Sequence, residues 1–147
     1  MREKFWTLPL QELTSAEWEA LCDGCGRCCL HKLQDEEDDR VYYTDVACRL
    51  FDPASCQCSN YALRLKQVPD CMSIRDEGEE VFQFLPSSCA YRLRYEGEPL
   101  PFWHPLVSKN DQAMRLAGIS VQQRVVCETS LDADADLEER IIHWVVA

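Results

Sequence analysis

The stretch LCDGCGRCCLHKL, residues 21–33, sets Cys22, Cys25, Cys28 and Cys29 within eight positions. Two Cys-x-x-Cys steps interlock there, from 22 to 25 and from 25 to 28. In such a step a tight turn brings both sulfurs toward one metal and points backbone N–H groups at them. Gly24 and Gly26 stand where these turns need residues without a Cβ. The first three cysteines also match the opening of a ferredoxin ligand run. The fourth element of that run, three residues and then Cys-Pro, is missing, because Cys29 follows at once. Neighbouring side chains diverge, so Cys28 and Cys29 suit two metals, or two adjoining sites, better than one tetrahedral ion.

Nine of the ten cysteines fall between residues 22 and 89. Cys56 and Cys58 share a face of an extended segment, Cys48 and Cys71 flank them, and Cys89 follows a predicted strand. The candidate metal ligands are therefore Cys22, Cys25, Cys28, Cys29, Cys48, Cys56, Cys58, Cys71 and Cys89. Inert core cysteines would scatter rather than cluster. Disulfides belong to exported proteins, and the opening MREKFWTLPLQEL has charges and a proline where a leader needs an apolar run. Cys127 stands apart and reads as a buried strand residue. His31, two residues after Cys29, is a further possible ligand, whereas His104 reads as packed and hydrogen-bonded and His143 as structural. Arg64 and Arg92 are candidates to offset thiolate charge.

A length of 147 residues suits a single domain, 1–147. The hydrophobic share of 46% includes ten cysteines, so the apolar core is thinner than it looks and metal is expected to stabilise the fold. A net charge of −11 has the wrong sign for a nucleic-acid protein, despite Arg64, Arg92 and Arg94. No apolar run approaches the ~20 residues of a membrane span. The expectation is a cytoplasmic protein.

Thr14 and Glu17 have capping-box spacing at the start of a helix over 14–21, with Trp18 packing on a core. The acidic run 35–39 lacks the alternation and central glycine of a calcium loop and reads as a solvated loop. Strands are predicted over 40–44, 80–85 and 119–126, and helices over 108–118 and 136–146. The fold class is thus a small, loop-rich, metal-stabilised α+β domain built around a cysteine cluster.

CDGCGRCC resembles the signature of the CxxCxxCC, or YkgJ-like, family of zinc- or iron-chelating proteins. Across VYYTDVACRLFD, CQCSNYALR, VPDC, CAYRL, WHPL and AGISV the likeness is to its YcgN-type bacterial branch. Cys48, Cys58, Tyr61, Arg64 and Cys71 occupy places of the wider group's pattern, although RLKQVPDC replaces a shorter Arg-Pro-x-x-Cys stretch. The resemblance implies zinc or iron and supplies no reaction. The expected protein holds iron, as an iron–sulfur cluster or polynuclear site, or zinc, and serves redox or protein-modifying chemistry. The alternative is a structural zinc module that meets another protein. No Ser-His-Asp set, phosphate loop or paired general acid and base is evident, so the question of enzyme activity stays open, as does any small-molecule substrate.

Overall fold

The structure, a computed structural model, describes residues 1–67, 79–110, 112–132 and 134–147. Cys71 lies outside the described residues. The centre is a strand, Val41–Ala47, whose β-branched and aromatic residues suit a half-buried pleat. Leu30–Gln34 pairs antiparallel along one edge of it, Leu30 opposite Ala47 and Gln34 opposite Val41. Ile141–Val146 pairs antiparallel with the first part of the central strand, and Val126–Cys127 pairs in parallel with Val46 and Ala47. Phe51–Asp52 and Gln57–Cys58 form a separate two-stranded pair. In chain order these strands are β1 (Leu30–Gln34), β2 (Val41–Ala47), β3 (Phe51–Asp52), β4 (Gln57–Cys58), β5 (Val126–Cys127) and β6 (Ile141–Val146).

The helices are short: α1 (Ser15–Ala20), α2 (Arg64–Gln67), α3 (Ala90–Tyr95), α4 (Pro105–Ser108) and α5 (Ala113–Leu116). Among the described residues no helix is long and apolar enough to cross a membrane. The predicted first helix is present with both arms of its capping box, Glu17 N–H to Thr14 and Thr14 N–H to Glu17. The acidic run is the exposed β1–β2 turn, in which Asp35 and Asp38 accept from the backbone N–H groups of Glu37 and Arg40.

Four other expectations are corrected. Residues 80–85 are not a strand but part of a 3-10 segment, Glu79–Phe84. Val81, Phe82 and Leu85 are all buried on one core, which a two-residue alternation cannot achieve. The helix over 108–118 shrinks to α5, closed at Gly118 by Gly118 N–H to Arg115 O and Ile119 N–H to Met114 O. Of the strand over 119–126 only Val126 pairs, continuing to Cys127. The final helix is a 3-10 turn, Leu137–Arg140, followed by β6, where the β-branched Ile141, Ile142, Val145 and Val146 favour a strand beside β2.

Three apolar clusters meet at the cysteine segment. Leu21 packs with Val81, Phe82, Leu85, Ala90 and Tyr91, and Trp18 lies at the edge of that cluster, its ring 5.0 Å from that of Tyr91. Cys25 packs with Trp103 and Met114. Leu30 joins Tyr43, Ala47, Phe51, Cys56, Val121 and Val145 beneath the sheet. Gly26 packs against the last of these clusters at φ +80°, and a Cβ there would stand 2.7 Å from Val121 and 2.8 Å from Phe51. Gly26→Ala therefore combines backbone strain with overpacking and should destabilise the protein by about 2–3 kcal/mol in urea unfolding. An unchanged midpoint would mean that Phe51 and Val121 do not close on this turn.

Candidate metal centre

The two Cys-x-x-Cys steps have the expected turn chemistry. Gly24 N–H donates to the Cys22 sulfur at 3.4 Å, and Arg27 N–H donates to the Cys25 sulfur at 3.5 Å. Positive φ at Gly24 (+75°) and Gly26 (+80°) turns these amides toward the sulfurs. The chain then passes through a 3-10 turn, Arg27–Cys29, into β1.

Cys89 arrives from a distant part of the chain as the N-cap residue of α3. Cys22 and Cys89 both respond to the charge of Cys28, and all three thiols respond to that of Asp23. Burial pushes the Cys89 thiol up to about 12, with Cys28 and Asp23 adding to the effect against the N–H groups of Arg92 and Tyr91. Burial, then Cys28 and Asp23, likewise raises Cys22; burial and Asp23 raise Cys25 well above the ordinary thiol value. Cys22 is an exposed residue, yet protein atoms crowd its sulfur. Cys28 goes the other way: the Cys29 thiol donates to it and Lys32 stands nearby, which outweighs burial and brings it down to about 7. An ion bound here must displace protons from Cys22, Cys25 and Cys89.

Two charged residues inside the motif were not singled out by spacing. Asp23 accepts the Cys25 N–H through Oδ1 at 3.0 Å, while its Oδ2 is buried with no hydrogen-bond partner. Arg27 is only 5% exposed. It donates to Ile119 O at 2.7 Å, Ser88 Oγ at 3.1 Å and Gly118 O at 3.3 Å, and its guanidinium lies 5.6 Å from the Trp144 ring. Among the described residues Arg27 has no carboxylate ion-pair partner, and its charge is felt by Cys25 and Asp23. The buried cation beside the thiols is thus Arg27. Arg64 instead lies over the Tyr61 ring at 3.9 Å, and Arg92 bonds Leu85 O and Glu96. The only sequence clue to Arg27 was its position between two cysteines of the turn.

The remaining candidates are distributed differently. Cys56 is buried, and its thiol donates to Gly24 O at 3.3 Å and Cys25 O at 3.4 Å, clamping the cysteine loop. Cys48 donates its N–H to Cys29 O at 2.9 Å, and Cys58 sits in β4 opposite Phe51. Cys127 is a strand residue as expected, half-buried rather than buried, with its sulfur 3.1 Å from Thr129 Oγ1. His31 pairs with Glu128. His104 is 1% exposed; Nδ1 accepts from Leu106 N–H at 3.0 Å and Nε2 donates to Leu21 O at 2.9 Å, which requires the neutral ring protonated on Nε2. His143 is exposed on β6.

Among the described residues no three His, Cys, Asp or Glu side chains converge closely enough to hold a metal ion. Cys22, Cys25, Cys28 and Cys89 are neighbours rather than an assembled coordination shell. Their chemistry fits a thiophilic divalent ion nonetheless: sulfurs approached by N–H donors and a buried carboxylate oxygen lacking a partner are groups that such an ion satisfies.

Because Arg27 satisfies two carbonyls and a hydroxyl, Arg27→Met leaves those acceptors short of donors. We expect a loss of about 2–4 kcal/mol in urea unfolding. Arg27→Lys, without the planar fork, should recover less than half of it. Full recovery by lysine would show that charge alone is needed there.

Residues 21–90 match the family model CxxCxxCC, described as a putative zinc- or iron-chelating domain. A UPF0260 protein of Parvibaculum lavamentivorans is 51% identical over 97% of this chain and 93% of its own length. UPF0260 proteins of Gluconacetobacter diazotrophicus, at 51% identity over 95% of this chain and 86% of theirs, and Granulibacter bethesdensis, at 50% over 95% and 83%, are similar along the same span. No solved structure matches. The interlocked cysteine turns are therefore part of a chain-long likeness, and the chain belongs to the UPF0260 family.

Proposed function

We propose that this chain is a metal-binding protein whose thiolates from Cys22, Cys25, Cys28 and Cys89 hold zinc or iron. The carrying observation is the meeting of two N–H···S turns with a cysteine from the start of α3, so that Cys22, Cys25 and Cys89 all feel the charge of Cys28. The description of the matching CxxCxxCC domain model, a putative zinc- or iron-chelating domain, supports the same reading. Since the sulfurs are not drawn together, binding is coupled to side-chain rotation and local ordering. Iron, as a polynuclear site or an iron–sulfur cluster, would supply electron transfer or radical chemistry directed at another protein in the cytoplasm. The YcgN-type likeness supports that assignment only as far as metal binding.

A structural zinc module is the second reading. It is favoured by one observation: residues 21–30 join all three apolar clusters, so an ion there would brace the whole core.

Purification without oxygen or added metal, followed by metal analysis, acid-labile sulfide and visible absorption, separates the two. Iron with sulfide and a broad band near ~400 nm supports the cluster reading; stoichiometric zinc in colourless protein supports the module. Cys25→Ser and Cys28→Ser should lose the metal and melt at lower temperature, whereas Cys127→Ser should do neither. A Cys28→Ser protein with full metal content and an unchanged melting temperature would refute the ligand assignment.

A further inference from the structure

We infer that Asp23 supplies an oxygen ligand, through Oδ2, to the metal held by the surrounding thiolates; this rests on the thiolate reading above and deepens it. The two oxygens of Asp23 have different surroundings. Oδ1 accepts the Cys25 N–H at 3.0 Å and so holds the first turn. Oδ2 is buried and has no hydrogen-bond partner. An uncompensated carboxylate oxygen inside a protein is costly unless a donor or a cation satisfies it.

Among the described residues no protein cation bonds to Oδ2. The Arg27 guanidinium is committed to Ile119 O, Gly118 O and Ser88 Oγ, and among the described residues Asp23 makes no ion pair. The charge of Asp23 is felt at Cys22, Cys25, Cys28 and Cys89, and once those thiols ionise they repel the carboxylate rather than satisfy it. A divalent ion attracts both kinds of donor. Asp23 stands between Cys22 and Cys25 in the chain, so the turn that delivers the two sulfurs delivers this oxygen as well. The resulting mixed sulfur and oxygen shell departs from the closed all-thiolate shell of structural zinc.

The test is a cobalt(II) titration of the full-length chain, reduced and stripped of metal under anaerobic conditions. Asp23→Asn keeps the acceptor for Cys25 N–H and removes the anionic oxygen. Asp23→Ser, which also accepts at that turn, serves the same comparison should the asparagine variant not fold. Sulfur-to-cobalt charge transfer should keep its intensity in the variant, the d–d bands should shift, and cobalt affinity should fall at least about tenfold. Thermal melting adds a sign: the variant should melt above the parent without metal and below it with cobalt. A purely structural aspartate would move both melts the same way.

Equal affinity with unshifted d–d bands would overturn the role of Asp23 while leaving the thiolate site standing. Absence of sulfur-to-cobalt charge transfer in the parent protein would overturn the thiolate reading, and this inference with it.

Discussion

The guanidinium of Arg27, buried within the cysteine loop, is the contact on which the arrangement depends. It reaches Gly118 and Ile119 beyond α5 and Ser88 just ahead of Cys89, while its stem lies in the turn between Cys25 and Cys28. Two segments far apart in sequence are thereby held to one loop. The loop is in turn anchored in three apolar clusters through Leu21, Cys25 and Leu30. With helices of six residues or fewer among the described residues, little of this architecture is stabilised by helical propensity itself. Contacts made by the loop replace the long amphipathic packing that larger helices would provide.

The same geometry sets the electrostatics. Among the described residues Arg27 and Lys32 bring positive charge to a group of thiols and one carboxylate, in a chain whose net charge is −11. Burial, with the charges of Cys28 and Asp23, raises the Cys22, Cys25 and Cys89 thiols, whereas Cys28 is drawn the other way by Cys29. An arriving cation replaces protons and removes repulsion in one step, so metal affinity, local order and pH are linked at this site.

The structure also separates cysteines that spacing treats alike. Cys56 looks from sequence like a partner of Cys58 in a second ligand pair. In the fold its backbone takes φ +59° and its thiol donates to the carbonyls of Gly24 and Cys25. It supports the loop from below, while Cys89, isolated in the sequence, stands beside the first cluster. Proximity along the chain is a weak guide when a site is assembled from opposite ends of a loop-rich fold.

Much of the local chemistry was legible in the residues themselves. The N–H···S turns follow from Cys-x-x-Cys with glycines at 24 and 26, the first helix from Thr14 and Glu17, and the buried His104 from its aromatic and proline neighbours. These depend on contacts within a few residues. What failed was the choice between strand and helix in short apolar runs. Residues 80–85 carry a pattern compatible with either, and 141–146 became a strand because β2 offers it an edge. The site shows the same division. Sequence alone determined that this chain presents clustered thiols in metal-type turns. Only the tertiary structure decided that Cys89 joins them, that Arg27 is the buried cation and that Asp23 keeps an oxygen without a partner, because burial and long-range proximity arise when distant segments pack together.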